Sequence, residues 1–441
     1  MENKRIFLCL AHMSESGAEK KYVQEAFDTN WVVPLGPNVN GFEKDLEEFV
    51  NLGGAKRVVA LSSGTAAVHL ALIACGVKSG DEVIVQSFTF CASSHPITYL
   101  GATPVFVDSE ENTWNMDPEL LEKAIKDRIA KTGKKPKAIV PVALYGMPYQ
   151  IDRIMEIANK YEIPVIEDAA EGFGSKFKGQ VLGTFGKYGV LSFNGNKMIT
   201  TSGGGALITA NDVEWREIMM YATQYRESFP YYQHEKIGYN YRMSNVCAGI
   251  GRGQMTVAEA HIEHHKHVQK LYEQLLADVP GVSVHRQMSN EELVMRDGNG
   301  EVKKWMSENG DTPVYDSNYW LCTITVDENV KVKGQENAYK TIVTGAVGGA
   351  AGVIHAAESA HTDCEPNANV EAMRVALDQA QIEARPVWKP MHRQPCYKDA
   401  PAYVNGVSET IFKRGLCLPS GPCVTDADVE RIVGVIKENI L

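Results

Sequence analysis

The sequence predicts an α/β fold, with a large mixed-sheet domain followed by a smaller C-terminal α+β domain. Three observations carry that expectation. Apolar runs of strand length alternate with helical stretches through the first half of the chain, which implies a parallel-type sheet with helical crossovers. The strands end in acidic or glycine residues, where open α/β sheets bind ligands. The chain has 441 residues, more than one core comfortably serves, so two packed domains are expected.

The elements follow in order. Residues 17 to 30 read as a polar helix, and WVVPLGPNVNGF as a Pro/Gly loop before a second helical pattern at 41 to 51. RVVALSSG is a buried strand ending in a small-residue turn, and TAAVHLALIACGV is a helix closed by Gly76. DEVIVQS is a strand, Ala92 to Leu100 a helical stretch, and PVFVD a further strand. The alternation continues through AIVPVALYG, a helix near 150 to 161, and IPVIED. After VLSFNGNKMITTSGGGALIT the strands shorten, and a His-rich helix is expected from about Val257 to Asp278. The domains are placed at 1–255 and 256–441. An Ala/Gly-rich stretch near 327–369, which includes TGAVGGAAGV, reads as an insertion.

Composition narrows the partners. The formal charge is −11, which argues against a nucleic-acid partner but allows a local basic pocket for an anionic ligand. Nine scattered cysteines with no CxxC pair fit reduced thiols in a cytoplasmic protein. No run approaches the ~20 apolar residues that span a bilayer, so no membrane association is expected. His261 and His265 share a helix face but lack an acidic or Cys companion, so no metal site is assigned and a solvated surface is expected.

Three segments carry chemistry. In SSGTAAV, Gly64 allows close backbone approach, Thr65 offers a hydroxyl and the helix N-terminus offers N–H donors to an anion. The same segment also reads as an ordinary turn between strand and helix. Asp168, in VIEDAAE, ends a buried strand, where a carboxylate needs a partner. A helix N-cap is the other reading. Lys197, in SFNGNKMITTSGGG, lies between apolar and glycine-rich segments, and desolvation there favours reactive amine chemistry. Together these satisfy what pyridoxal phosphate (PLP) requires: a lysine for its aldehyde, an anion cradle, and an acid for its pyridine nitrogen.

The ordered blocks SSGTAAVHLAL, SFTF, EDAAE, SFNGNK-ITTSGGG, GYNYRMSN and RPVWKPMH resemble the DegT/DnrJ/EryC1/StrS family of nucleotide-sugar aminotransferases. The resemblance spans nearly the whole chain outside the insertion. It implies the PLP-dependent transferase fold type I, similar to aspartate aminotransferase. It also implies residue roles. Lys197 is the Schiff-base lysine and proton shuttle, and Asp168 pairs with the pyridine nitrogen. Gly64, Thr65 and Ser192 hold the phosphate, and Phe90 stacks on the ring. Glu171 lies beside the phenolic oxygen, and Asn194 joins the cofactor contacts. Asn240 reaches the neighbouring subunit's cofactor, which implies a homodimer with shared sites.

Glu171 and Asn194 stand where many family members have Gln and His. Both look like the branch that builds UDP-N-acetylbacillosamine. Arg385, Trp388, Lys389 and His392 match a block near the substrate entrance, with Arg385 also readable as a structural ion pair. Arg226, Lys389 and Arg393 are candidates for the nucleotide diphosphate. The implied reaction moves an amino group from glutamate to a nucleotide-linked 4-keto-6-deoxy sugar, with UDP-2-acetamido-2,6-dideoxy-4-hexulose expected. GDP- or dTDP-linked sugars aminated at C3 or C4 stay open. So does a non-catalytic PLP-binding regulator. A dehydratase of the same fold carries His in place of the lysine, and Lys197 argues against it.

Overall fold

The computed structural model describes residues 4–50, 56–296, 298, 300–339 and 364–441. The TGAVGGAAGV stretch of the expected insertion lies outside the described residues.

One large sheet organises the fold. Its order is Ala402–Tyr403, Thr103–Val107, Glu82–Gln86, Ile139–Val140, then Ile166–Asp168, Tyr188–Ser192, Gly205–Thr209 and Arg57–Leu61. Parallel bridges Ile139 to Val165 and Val142 to Asp168 join the two halves. Gly205–Thr209 alone runs antiparallel to its neighbours Tyr188–Ser192 and Arg57–Leu61. The expected parallel-type sheet with crossovers is present, and this reversed strand makes it mixed.

Alternation along the strands explains the layering. Val58 and Ala60 pack on one face, while Val59 and Leu61 pack on the other. Val83 and Val85 face the helix Gly64–Ala74 side, and Ile84 the opposite side. A sheet covered on both faces reads as near-continuous apolar sequence, as RVVAL and EVIVQ do.

A second core is built from Val268, Tyr272, Ile324, Leu377, Leu416 and Ile432. Its antiparallel sheet has the order Val282–Val284, Cys322–Val326, Gly415–Leu418, Arg385–Pro386. The helices Ala258–Leu276, Ala368–Gln379 and Asp426–Asn439 contribute its other side. Ile6 joins this core through a bridge to Ile382, so the N-terminal segment packs with the C-terminal half.

Two expectations are corrected. The Pro/Gly loop is shorter than expected, because helix Pro37–Val50 starts inside it. Proline suits the first helical turn, where its missing N–H costs nothing. The His-rich helix is not solvated along its histidine face. His261 and His265 are buried with Ile262, Val268 and Tyr272 on the same stripe. His265 Nδ1 lies 3.1 Å from Tyr319 O, and burial lowers its pKa to about 3. Among the described residues, no cluster of three potential metal ligands forms. No helix among them is long and apolar enough to cross a membrane.

Candidate active site

The strands Arg57–Leu61, Glu82–Gln86, Ile166–Asp168 and Tyr188–Ser192 end at one edge of the sheet. A cavity of about 350 Å³ opens there, within the usual size of small-molecule sites. Gly64, Thr65, Phe90, Asp168, Glu171, Ser192, Asn194, Lys197 and Trp388 line it together. Nine expected residues, spread over more than 300 positions of sequence, thus meet in one cavity.

The anion end is built by the first helix after the sheet edge. Ser63 caps helix Gly64–Ala74, its Oγ accepting from Ala66 N at 3.0 Å. The Ala67 N–H reaches Ser63 O. The N–H groups of Gly64 and Thr65 in the same first turn are placed to meet an anion. Gly64 sits in a tight space, since a Cβ there would stand 3.1 Å from Ser192 Cβ. Gly205 packs behind this turn even more closely, its ideal Cβ falling 2.4 Å from Gly64 N.

At the opposite wall, Asp168 is 5% exposed. Its Oδ2 accepts from Ser93 Oγ at 2.6 Å, and its Oδ1 from Ala170 N at 3.1 Å. Burial raises its pKa, opposed by the Ser93 and Ala170 donors and by Lys197. The residues after it form bends and turns up to Ser175 rather than a helix, so the N-cap reading does not hold.

Lys197 lines the same cavity. Its Nζ is 3.7 Å from Glu171 Oε1 and 3.8 Å from the centre of the Trp320 ring. Glu171 is also buried. It accepts from Tyr145 N at 2.7 Å and from Trp388 Nε1 at 3.3 Å. Burial is the main cause that raises its pKa, with Lys197 the first of the opposing influences. Phe90 is half exposed, its ring centre 5.2 Å from that of Trp388.

The residues fit PLP. A buried carboxylate aimed into the cavity suits a pyridinium N–H, a glycine-bearing helix N-terminus suits a phosphate, and the amine in the same cavity suits an aldehyde. Ser93, Trp320 and Tyr145 were not singled out by the sequence. Ser93 lies in a polar run with no periodic signal. Trp320 comes from a distant strand approach and is held by Nε1 donating to Asn196 O at 2.7 Å.

Six expected contacts do not line the cavity. Arg385 Nε and Nη2 both bond Glu383 Oε1, at 3.0 and 2.7 Å, which matches its reading as a structural ion pair. His392 Nδ1 lies 2.7 Å from Ser87 Oγ, so it braces the start of the SFTF segment. Lys389 is half-buried in the RPVWKPMH turn, and Arg393 pairs with Glu409. Arg226 and Asn240 lie on an exposed segment, where Arg226 bridges His234 and packs over Tyr232.

A sequence profile of the DegT/DnrJ/EryC1/StrS aminotransferase family matches residues 14–303 and 344–437. The chain belongs to this family. EpsN of Bacillus subtilis, provisionally named a pyridoxal phosphate-dependent aminotransferase, is 39% identical over 98% of this chain and 95% of its own. A GDP-perosamine synthase of Escherichia coli O157:H7 is 32% identical over 96% of both chains. The crystal structure of a DegT/DnrJ/EryC1/StrS aminotransferase from Brucella abortus superposes with a TM-score of 0.75 at 25% identity, covering 96% of this chain and 95% of that one. Helicobacter pylori PseC shares the fold at a TM-score of 0.75 and 18% identity, over 99% of both chains. This family member is a PLP-dependent aminotransferase of nucleotide sugars. The family profile leaves residues 304–343 unmatched, which overlaps the expected insertion only at 327–343.

Proposed function

We propose that this enzyme moves the amino group of glutamate to C4 of a UDP-linked 2-acetamido-2,6-dideoxy-4-keto sugar. The observation that carries the chemistry is Lys197 Nζ beside Glu171 and the Trp320 ring, in the cavity that Asp168 closes. PLP, when bound, supplies the electron sink that makes the amino-bearing carbon acidic. The protein does the rest. Lys197 is the one amine among the lining residues, and its Nζ takes and returns the proton in both half-reactions. Glu171 holds that Nζ in place. Asp168 keeps a negative charge at the far wall, and the Gly64 and Thr65 N–H groups with Ser192 fix the phosphate.

The aromatic wall that Trp388 adds beside the cofactor-stacking Phe90 supports a 6-deoxy sugar. A methyl group rests on such a wall at no polar cost, whereas a hydroxyl there loses hydrogen bonds. Glu171 and Asn194 support the UDP-linked substrate through their likeness to the bacillosamine branch. A GDP-linked sugar is the second reading, favoured by the full-length likeness to GDP-perosamine synthases.

The sites are proposed to be shared within a homodimer in the cytoplasm. The segment that carries Arg226 and Asn240 also exposes Phe229, Tyr231, Tyr232 and Ile237, the last 85% exposed. Such a surface calls for a second copy. The division near residue 255 is likewise proposed, supported by the second core, which apart from Ile6 is drawn from helix Ala258–Leu276 onward.

The test is a panel of UDP-, GDP- and dTDP-linked 4-keto and 3-keto sugars with glutamate, read by product mass and by the position of the amine. Amination at C4 of the UDP-linked sugar is expected. Turnover restricted to GDP- or dTDP-linked sugars, or an amine at C3, would overturn the substrate and leave the aminotransferase standing.

A further inference from the structure

We propose that Ser93 is a positioning residue that makes Asp168 selective for the cofactor's ring nitrogen. The inference rests on the reading that Asp168 meets that nitrogen.

The geometry begins with a carboxylate that has about four acceptor positions. Two are already taken from the protein side. Ser93 Oγ donates to Oδ2 at 2.6 Å, and Ala170 N donates to Oδ1 at 3.1 Å. Both oxygens are pinned, so the carboxylate holds one orientation. Its remaining lone pairs are what a ligand in the cavity can use.

Ser93 is 2% exposed, and its hydroxyl has a second contact, Thr89 Oγ1 at 2.8 Å. Ser93 has one proton, and it goes to the carboxylate. Thr89 is therefore the donor of the second bond, and the chain runs Thr89 to Ser93 to Asp168. A hydroxyl that is itself receiving a hydrogen bond is a stronger donor.

The chain matters because Asp168 is buried. Burial pushes its pKa up, and the Ser93 hydrogen bond is the largest opposing influence. Without that bond the carboxyl holds its proton more readily, and a protonated carboxyl is a poor acceptor for a pyridinium N–H. Ser93 also ends the turn Cys91–Ser93 that begins directly after Phe90. One short turn therefore presents Phe90 to the cavity and fixes the acid at its far wall.

The test uses the apo form of the full chain and reads binding, not turnover. Dissociation constants are measured by quenching of tryptophan fluorescence for PLP and for its analogue with CH in place of the ring nitrogen. Wild-type protein is expected to prefer PLP. Ser93→Ala should cut that preference about tenfold, equivalent to about 1.4 kcal/mol, and Ser93→Thr should restore it. Thr89→Val should cut it less, in the same direction. Asp168→Asn should remove it.

A general loosening of the pocket weakens both ligands equally and leaves the ratio unchanged. Ser93→Ala with the wild-type ratio, alongside Asp168→Asn without it, would overturn the role of Ser93 while leaving that of Asp168. An unchanged ratio in Asp168→Asn would overturn the underlying reading as well. Should Ser93→Ala not fold, an unchanged ratio in Thr89→Val would refute the hydroxyl chain.

Discussion

Replacing Gly205 by alanine tests how the reversed strand supports the anion end of the cavity. The added Cβ would stand 2.4 Å from Gly64 N and Ser63 C, and 2.6 Å from Ser63 O. Ordinary contact begins at 3.4 Å, so the shortfall is about 1 Å. All three atoms are backbone, and no rotamer change relieves them. Gly205 is also paired on both sides, with Leu61 and with Ser192, so the strand cannot retreat without breaking its ladder. Overpacking costs about 1–3 kcal/mol, and this site belongs near the upper end. At about 2 °C per kcal/mol, the melting temperature of the apo form should fall by roughly 5 °C. The Ser63–Gly64 turn should also move away from the phosphate by a large part of that 1 Å. Loss of one charged hydrogen bond, about 1.5–3 kcal/mol, weakens PLP binding roughly tenfold to a hundredfold. The assay is a PLP titration by absorbance with a parallel thermal melt. Gly195→Ala is the control, because its Cβ meets only Ser202 O, at 3.8 Å. A Gly205→Ala protein that melts and binds PLP like wild type would refute the reasoning.

Three further outcomes follow from the same geometry. Lys197→Ala should lose all transamination, and borohydride trapping of the cofactor in wild type should map to the Lys197 peptide; mixing it with an Asn240→Ala variant should restore part of the activity if sites are shared, and monomers by light scattering would exclude that. Asp168→Asn should lose most activity yet make the apo form more stable than wild type at pH 8. The buried Asp168 carboxyl has a raised pKa, so wild type loses stability as pH climbs from the free carboxyl's value through the raised one, and the variant's advantage should vanish at low pH. His265, with its pKa lowered to about 3 by burial, stays neutral in the fold while the unfolded chain protonates below about 6.5. Its stabilising contribution is present above that pH and lost on acidification, by roughly 3 kcal/mol at pH 4; urea unfolding of His265→Gln should therefore lose less between pH 7 and pH 4 than wild type.

The chemistry was legible where it coincides with a strand end. Asp168, Ser192 and the SSGT turn each end or follow a buried strand, and strands rich in apolar residues are the clearest pattern a sequence offers. Lys197 was legible because the block around it is distinctive. Ser93 was not, because a buried serine and a solvated one look alike in a polar run. The burial of His265 was hidden for a related reason. Histidine counts as polar, yet here it occupies the i+3 position from Ile262 and the i−3 position from Val268, on the apolar stripe. Arg385 and His392 resembled substrate ligands by their block, but Glu383 and Ser87 already hold them. Partners so placed are a property of the folded chain. The edge strand Ala402–Tyr403 gave no signal either, being two residues long and preceded by Pro401.

That edge strand has a consequence for how the protein is made. Phe106 N donates to Pro401 O, and Asp108 N to Tyr403 O. The Asp108 carboxylate then accepts N–H groups from Asn405, Gly406 and Ser408. Strand Thr103–Val107 leaves the ribosome about 300 residues ahead of the segment that covers it. At 5–20 residues per second, it waits about 15 to 60 seconds. Through that interval an apolar strand presents open N–H and C=O groups to every other nascent chain nearby, which is the ordinary starting point of aggregation. Synthesis speed and chaperone supply, more than the stability of the finished enzyme, should therefore set how much of it can be obtained from a producing cell.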